Sequence, residues 1–311
     1  MKRIISLILT FAITILSAFS ISGCSNANLN EENDTGKLRI VATIFPYYEF
    51  ARNIAGDKAD VKMLLSPGNE PHSYDPSPSD IVAIENCDIF IYNGGESDEW
   101  VEGVLDSLQN SNLRILKMMD YVDALNEQET DHTSGDELDE HIWTSIRNAQ
   151  KLSKIISETL KQIDAENSDY YSDNELIYTE MLSNLDNQIM SIVKNASKNT
   201  VVFGDRFPFL YFVNDYGLSY ECAFPGCSSE TEPSISTVTR LIDFVREDKI
   251  PVVFYLEFSN GKTADLIAED TGAETLEFCS CHNVTKEQFE SGVSYISLMQ
   301  QNAKNLEEAL S

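Results

Sequence analysis

Basic residues are scarce in this chain: 22 Lys and Arg stand against 51 Asp and Glu among 311 residues, a formal charge of −29. A surface that grips phosphates, whether of nucleic acid or of anionic headgroups, needs the opposite sign, so both partners are excluded as classes and small cations are favoured. No Walker A loop occurs, so any energy used must come from partners, and no H-E-x-x-H helix marks a zinc hydrolase. Histidine is sparse too, limited to His72, His132, His141 and His282. What the chain does have is 42% apolar residues, enough to bury the core of one large domain or two ordinary ones and too many for a disordered chain.

The amino terminus reads as an export signal. Lys2 and Arg3 precede an apolar run from Ile4 to Ile21, followed by Ile21-Ser22-Gly23-Cys24. That tetrapeptide resembles the lipobox of bacterial lipoproteins, in which small residues admit the signal peptidase and the Cys thiol takes a diacylglyceryl group. Residues 1–23 are thus expected to be removed, with Cys24 the lipidated first residue. Two acyl chains hold a protein firmly at a membrane where one does not. Residues 24–37, rich in Asn, Glu and Asp, read as a flexible spacer that stands the body off the extracytoplasmic face of the cell membrane.

Beyond the spacer, short β-branched runs alternate with helical patterns. Leu38 to Phe45, Val61 to Leu65, Asp88 to Asn93 and Leu113 to Met118 predict buried strands, with helices near Tyr47 to Ala55, Ser79 to Asn86 and Trp100 to Gln109. The alternation restarts with Thr200 to Gly204, Leu218 to Phe224, Pro251 to Glu257 and Glu274 to Ser280, then a helix over Phe289 to Leu310. The fold class is therefore α/β, two lobes with mostly parallel sheets, 38–171 and 198–311. One long helix over 172–197 joins them, opened by Ser172 and Glu175 as a capping box and carrying an apolar face of Tyr178, Met181, Leu182, Leu185, Ile189, Ile192 and Val193.

His72 lies in a proline-stiffened loop, Pro67-Gly68-Asn69-Glu70-Pro71-His72-Ser73-Tyr74-Asp75-Pro76-Ser77-Pro78, just after a predicted strand. Loops at the carboxyl ends of parallel strands are where such sheets bind ligands. This loop, together with Val41-Ala42-Thr43-Ile44-Phe45-Pro46, Tyr92-Asn93-Gly94-Gly95 followed by Glu99-Trp100, and Glu140-His141-Ile142-Trp143, resembles the substrate-binding lipoproteins of zinc and manganese ABC transporters, the metal-binding cluster A-I solute-binding family. The resemblance spans nearly the whole mature chain. It implies two lobes joined by a long helix, with a metal in the interlobe cleft on two histidines from the amino-terminal half and two further ligands from the other. Carried over by residue, His72 and His141 match the first two ligands. At the third position the family often has His or Glu; here Asp205, ahead of Arg206-Phe207, is the nearest candidate. Glu257, ending the strand Val252 to Leu256, matches the fourth. The competing structural roles are a helix N-cap for Asp205 and a salt bridge or N-cap for Glu257.

The remaining motifs are read more simply. His132 sits in an acidic loop, Asn126 to Glu140, where zinc-specific relatives carry a His-rich one, and reads as a solvated residue. Cys222, Cys227, Cys279 and Cys281 are expected to pair outside the cytoplasm, Cys222 with Cys279 and Cys227 with Cys281, which avoids tiny loops; the alternative is a Cys/His metal site built on Cys279-Ser280-Cys281-His282. Cys87 reads as a buried free thiol. Tyr92, Trp100, Phe207 and Phe209 either line the cleft or belong to the core.

These readings converge on a monomeric, extracytoplasmic substrate-binding lipoprotein of an ABC importer, not an enzyme, which captures a divalent metal and hands it to a permease driven by a cytoplasmic ATPase. Two imidazoles and two carboxylates suit zinc first, with manganese or iron the alternative. A secreted metallohydrolase would need an open water position and a general base that no motif supplies, and a metal-independent adhesin is the remaining rival.

Overall fold

The computed structural model describes residues 36–127, 138–224 and 233–311; the signal segment, Cys24, His132 and Cys227 lie outside them. Residues 38–311 form one unit built from two four-stranded parallel sheets. The first contains β1 (Leu38–Ala42), β2 (Ala59–Met63), β3 (Ile89–Tyr92) and β4 (Arg114–Lys117), in the order β2-β1-β3-β4. The second repeats that order as β6-β5-β7-β8, from β5 (Thr200–Phe203), β6 (Ser219–Cys222), β7 (Val252–Tyr255) and β8 (Glu274–Glu277). Each predicted strand run contains or overlaps one of these strands. Central β3 is buried on both faces, which is why Ile89-Phe90-Ile91-Tyr92 reads as a continuous apolar run and not as an alternation.

Helices α1 (Phe45–Ala55), α2 (Pro78–Glu85) and α3 (Trp100–Leu105) belong to the first lobe. Helix α2 starts where its sequence dictates: Ser77 and Asp80 form a reciprocal capping box and Pro78 occupies the first turn. Helices α4 (Ile146–Ile163) and α5 (Ser168–Asn195) follow, then α6 (Leu210–Tyr216), α7 (Ile235–Glu247), α8 (Lys262–Thr271), α9 (Lys286–Glu290) and α10 (Tyr295–Ala309). The long connecting helix α5 begins before Ser172, whose hydroxyl bonds back to the Ser168 carbonyl at 3.0 Å, so the expected capping box with Glu175 does not form. Tyr178, Leu182, Leu185 and Ile189 of its expected face are buried, whereas Met181 is 48% exposed.

A single apolar cluster runs from Ile40, Phe50 and Trp143 through Tyr178 and Leu185 to Phe203, Phe254 and Met299. It continues without a break from one lobe through α4 and α5 into the other. Phe207 and Phe209 join it, and Tyr92 and Trp100 pack in a smaller cluster around Phe90, so these four aromatics serve the core and none lines the cleft.

Candidate metal centre

Every segment of interest leaves the carboxyl end of a parallel strand. His72 lies on a tight 3-10 turn, Pro71–Ser73, in the loop after β2; His141 precedes the turn Ile142–Thr144 that follows β4; His282 comes just after β8. Their rings form a near-equilateral triangle, with centroids 6.0 Å apart for His72 and His141, 5.2 Å for His72 and His282, and 5.9 Å for His141 and His282. One ring nitrogen from each falls within 4.8 Å of the others, and among the described residues this is the cluster able to hold a metal ion. A cavity of about 50 Å³ opens against the three rings, room for an ion and little else.

His282 is seated from both lobes. Cys281, at φ 62°, takes a left-handed turn uncommon for a residue with a side chain, and this redirects the chain just before His282. The indole of Trp143 lies 4.6 Å from the His282 ring and donates to the Ser280 carbonyl at 2.9 Å. Next along, the Asn283 amide donates to the carbonyls of Ser66 and Asn69, both at 2.9 Å, and the Gly68 amide donates to the Val284 carbonyl at 2.8 Å. The carboxyl lobe thus clasps the loop that carries His72. Burial, with the two neighbouring histidines as a smaller cause, holds the His282 pKa well below its usual value, so its ring is neutral and its lone pair available at ordinary pH.

The two carboxylates expected as ligands both accept hydrogen bonds from nearby groups. Asp205 accepts from the backbone amides of Arg206 at 2.8 Å and Leu256 at 3.3 Å, stapling the ends of β5 and β7 together. It neither lines the cavity nor joins the histidine cluster. Glu257 does line the cavity, but its two oxygens accept from the Ser280 amide, at 2.7 Å, and the Ser280 hydroxyl. Burial pushes its carboxyl up to about 7. Arg206 lines the mouth and sits 4.0 Å from Glu70 across the cavity. Of the four expected residues the structure brings His72 and His141 together at the cavity, leaves Glu257 on its wall and Asp205 off it, and adds the imidazole of His282.

The expected pairing of Cys222 with Cys279 is also corrected, while that of Cys227 with Cys281 involves a residue outside the described ones. Cys222, Cys279 and Cys281 are free thiols, as is Cys87. Cys222 ends β6 and Cys279 follows β8, the two outer strands of the same sheet, about 14 Å apart at ordinary strand spacing; a disulfide needs Cα atoms within about 7 Å. Cys279 is instead fixed in the core by Asn302, which accepts from its amide at 2.8 Å and donates to its carbonyl at 2.7 Å. The C-x-C-H motif drew attention to sulfur, whereas the atom that reaches the site is the imidazole. The usable signals were the place of His282 just beyond the last strand and the lack of any histidine around Asp205.

Two parallel sheets of matching strand order, a long connecting helix and three histidines beyond the strand ends make up the architecture of a two-lobed solute-binding protein. Residues 40–309 match the family described as zinc-uptake complex component A, periplasmic (ZnuA), and the chain belongs to that family. It is 30% identical over 300 residues to the high-affinity zinc uptake system protein ZnuA of Bacillus subtilis, covering 93% of each. It is 31% identical over 301 residues to the zinc-binding lipoprotein AdcA of Streptococcus pneumoniae, where the match spans 94% of this chain and 59% of that longer protein. Among solved structures, the Zn(II)-bound ZnuA-like domain of Streptococcus pneumoniae AdcA superposes with a TM-score of 0.75 at 30% identity, covering 88% of this chain and 99% of the domain. The metal-dependent lipoprotein YcdH of Bacillus subtilis gives 0.77 at 30% identity, with coverage of 88% and 100%.

Proposed function

We propose that this chain captures zinc on His72, His141 and His282 and delivers it to the permease of an ABC importer whose ATPase acts from the cytoplasm. The observation that carries the reading is the three-imidazole cluster facing one small cavity. Neutral imidazoles bind zinc without bringing charge, and a nitrogen-only set favours zinc over manganese and iron(II), which stand lower in the Irving–Williams order and, for manganese, suit oxygen donors. The relatives named for zinc uptake and zinc binding support the same ion. A net charge of −29 draws dications toward the body from a distance.

Lipidation at Cys24 and action as a monomer complete the proposal; the lipobox-like sequence and the lipoprotein names of two relatives support the anchor. Mass spectrometry of the mature amino terminus should find a diacylglyceryl group on Cys24. Competition on metal-stripped protein tests the cargo: zinc should displace manganese at equal concentrations, and tighter manganese binding would overturn the assignment.

A further inference from the structure

We propose that Glu140 is a positioning residue that fixes the ring of His72 through Ser97, so that the segment Asp139-Glu140-His141 prepares both amino-terminal ligands at once; this rests on the ligand set proposed above. His72 needs such a tether more than its partners. Its side chain remains 26% exposed, whereas His141 and His282 are buried.

The links are short and continuous. Ser97 Oγ lies 2.8 Å from His72 Nδ1 and 2.5 Å from Glu140 Oε1, while the Ser97 amide donates to Glu140 Oε2 at 3.0 Å. Glu140 Oε1 is itself 3.4 Å from His72 Nδ1. One residue back, Asp139 Oδ1 accepts from the His141 amide at 2.8 Å and lies 3.2 Å from His141 Nδ1. The two carboxylates of consecutive residues thus serve two different imidazoles.

Proton bookkeeping sets the direction. A carboxylate only accepts, so the single Ser97 hydroxyl proton goes to Glu140, and Ser97 Oγ can then only accept from His72. The ring proton of His72 is therefore on Nδ1, and Nε2 keeps the lone pair a metal needs. The opposite tautomer would place a proton on the ligating atom.

The backbone is shaped to admit this arrangement. Gly95 has φ 105°, and a Cβ there would lie 2.8 Å from Glu140 Oε2 and 2.9 Å from Glu140 Cβ. The Asn93 amide group also donates to the Glu140 carbonyl at 2.8 Å, holding the two loops in register.

Outer-sphere partners of metal-bound histidines are worth about 10–100-fold in affinity. Ser97→Ala and Glu140→Ala should each weaken zinc binding by about that factor, measured against a competing chelator, and Glu140→Gln should recover part of the loss. In a His72→Ala background the Glu140→Ala substitution should add less than about threefold, because its effect passes through His72. A loss of the same factor in both backgrounds would overturn the proposal, as would Glu140→Ala binding zinc within about threefold of wild type. If Glu140→Ala fails to fold, Ser97→Ala removes one hydroxyl and gives the same reading. Nitrogen NMR of the metal-free protein should find His72 protonated on Nδ1 in the wild type and shifted toward the other tautomer in Ser97→Ala; an Nε2 proton in the wild type refutes the relay. That spectrum needs no metal, so it stands apart from the ligand assignment, which fails if His282→Ala leaves zinc affinity unchanged.

Discussion

The two lobes share a strand order and a parallel geometry, yet they supply the site in different ways. In the amino-terminal half each histidine has a carboxylate system behind it, Ser97 with Glu140 for His72 and Asp139 for His141. In the carboxyl-terminal half the carboxylates hold backbone: Asp205 binds the amides of Arg206 and Leu256, and Glu257 binds Ser280. His282 is seated by the face of Trp143 and by the turn at Cys281. An acidic residue at a strand end therefore says little about ligation until its oxygens are accounted for.

The largest expected effect treats the two halves alike. His72→Ala, His141→Ala and His282→Ala should each weaken zinc by more than the ~100-fold ceiling of outer partners; calorimetry finding His282→Ala near wild type would restore the two-histidine reading. Next comes Glu257→Ala, which should cost zinc affinity about tenfold, since Ser280 Oγ, held by Glu257, also accepts from the His282 amide at 3.2 Å. Asp205→Asn should separate stability from binding. It strands one backbone amide and costs about 1–3 kcal/mol in denaturant unfolding, while zinc affinity stays within about threefold of wild type; a large affinity loss without destabilisation would make Asp205 a ligand after all.

The smallest effect concerns the loop that carries Ser97. Asp98 is buried and accepts from the amides of Asn93 at 2.7 Å and Gly94 at 3.0 Å, and burial lifts its carboxyl from 3.8 to about 6. The folded chain then holds that proton more tightly than the unfolded one, so stability falls as pH rises from about 4 to about 6, by at most ~1.4 kcal/mol per pH unit. Asp98→Asn should flatten that slope in urea titrations of the metal-free protein.

The lobe architecture was legible because the central strands, buried on both faces, leave short apolar runs that alternate with helical patterns. The places of His72 and His141 in the histidine cluster were legible from their motifs. That of His282 was not, since its neighbours Cys279 and Cys281 drew the reading toward sulfur, and the disulfide expected between Cys279 and Cys222 is ruled out by their separation across the sheet. Ser172 misled for a related reason: a capping sequence is a local preference, and the packing of α5 against α4 extends the helix past it. The roles of Asp205 and Glu140 depend on contacts 51 and 43 residues away, beyond the reach of any local pattern.

The most direct test of the three-imidazole site is an anomalous difference map at the zinc edge from crystals of zinc-loaded protein. The peak should lie about 2.0–2.1 Å from one ring nitrogen of each of His72, His141 and His282. A peak coordinated by Asp205, or one that His282 does not touch, would contradict it.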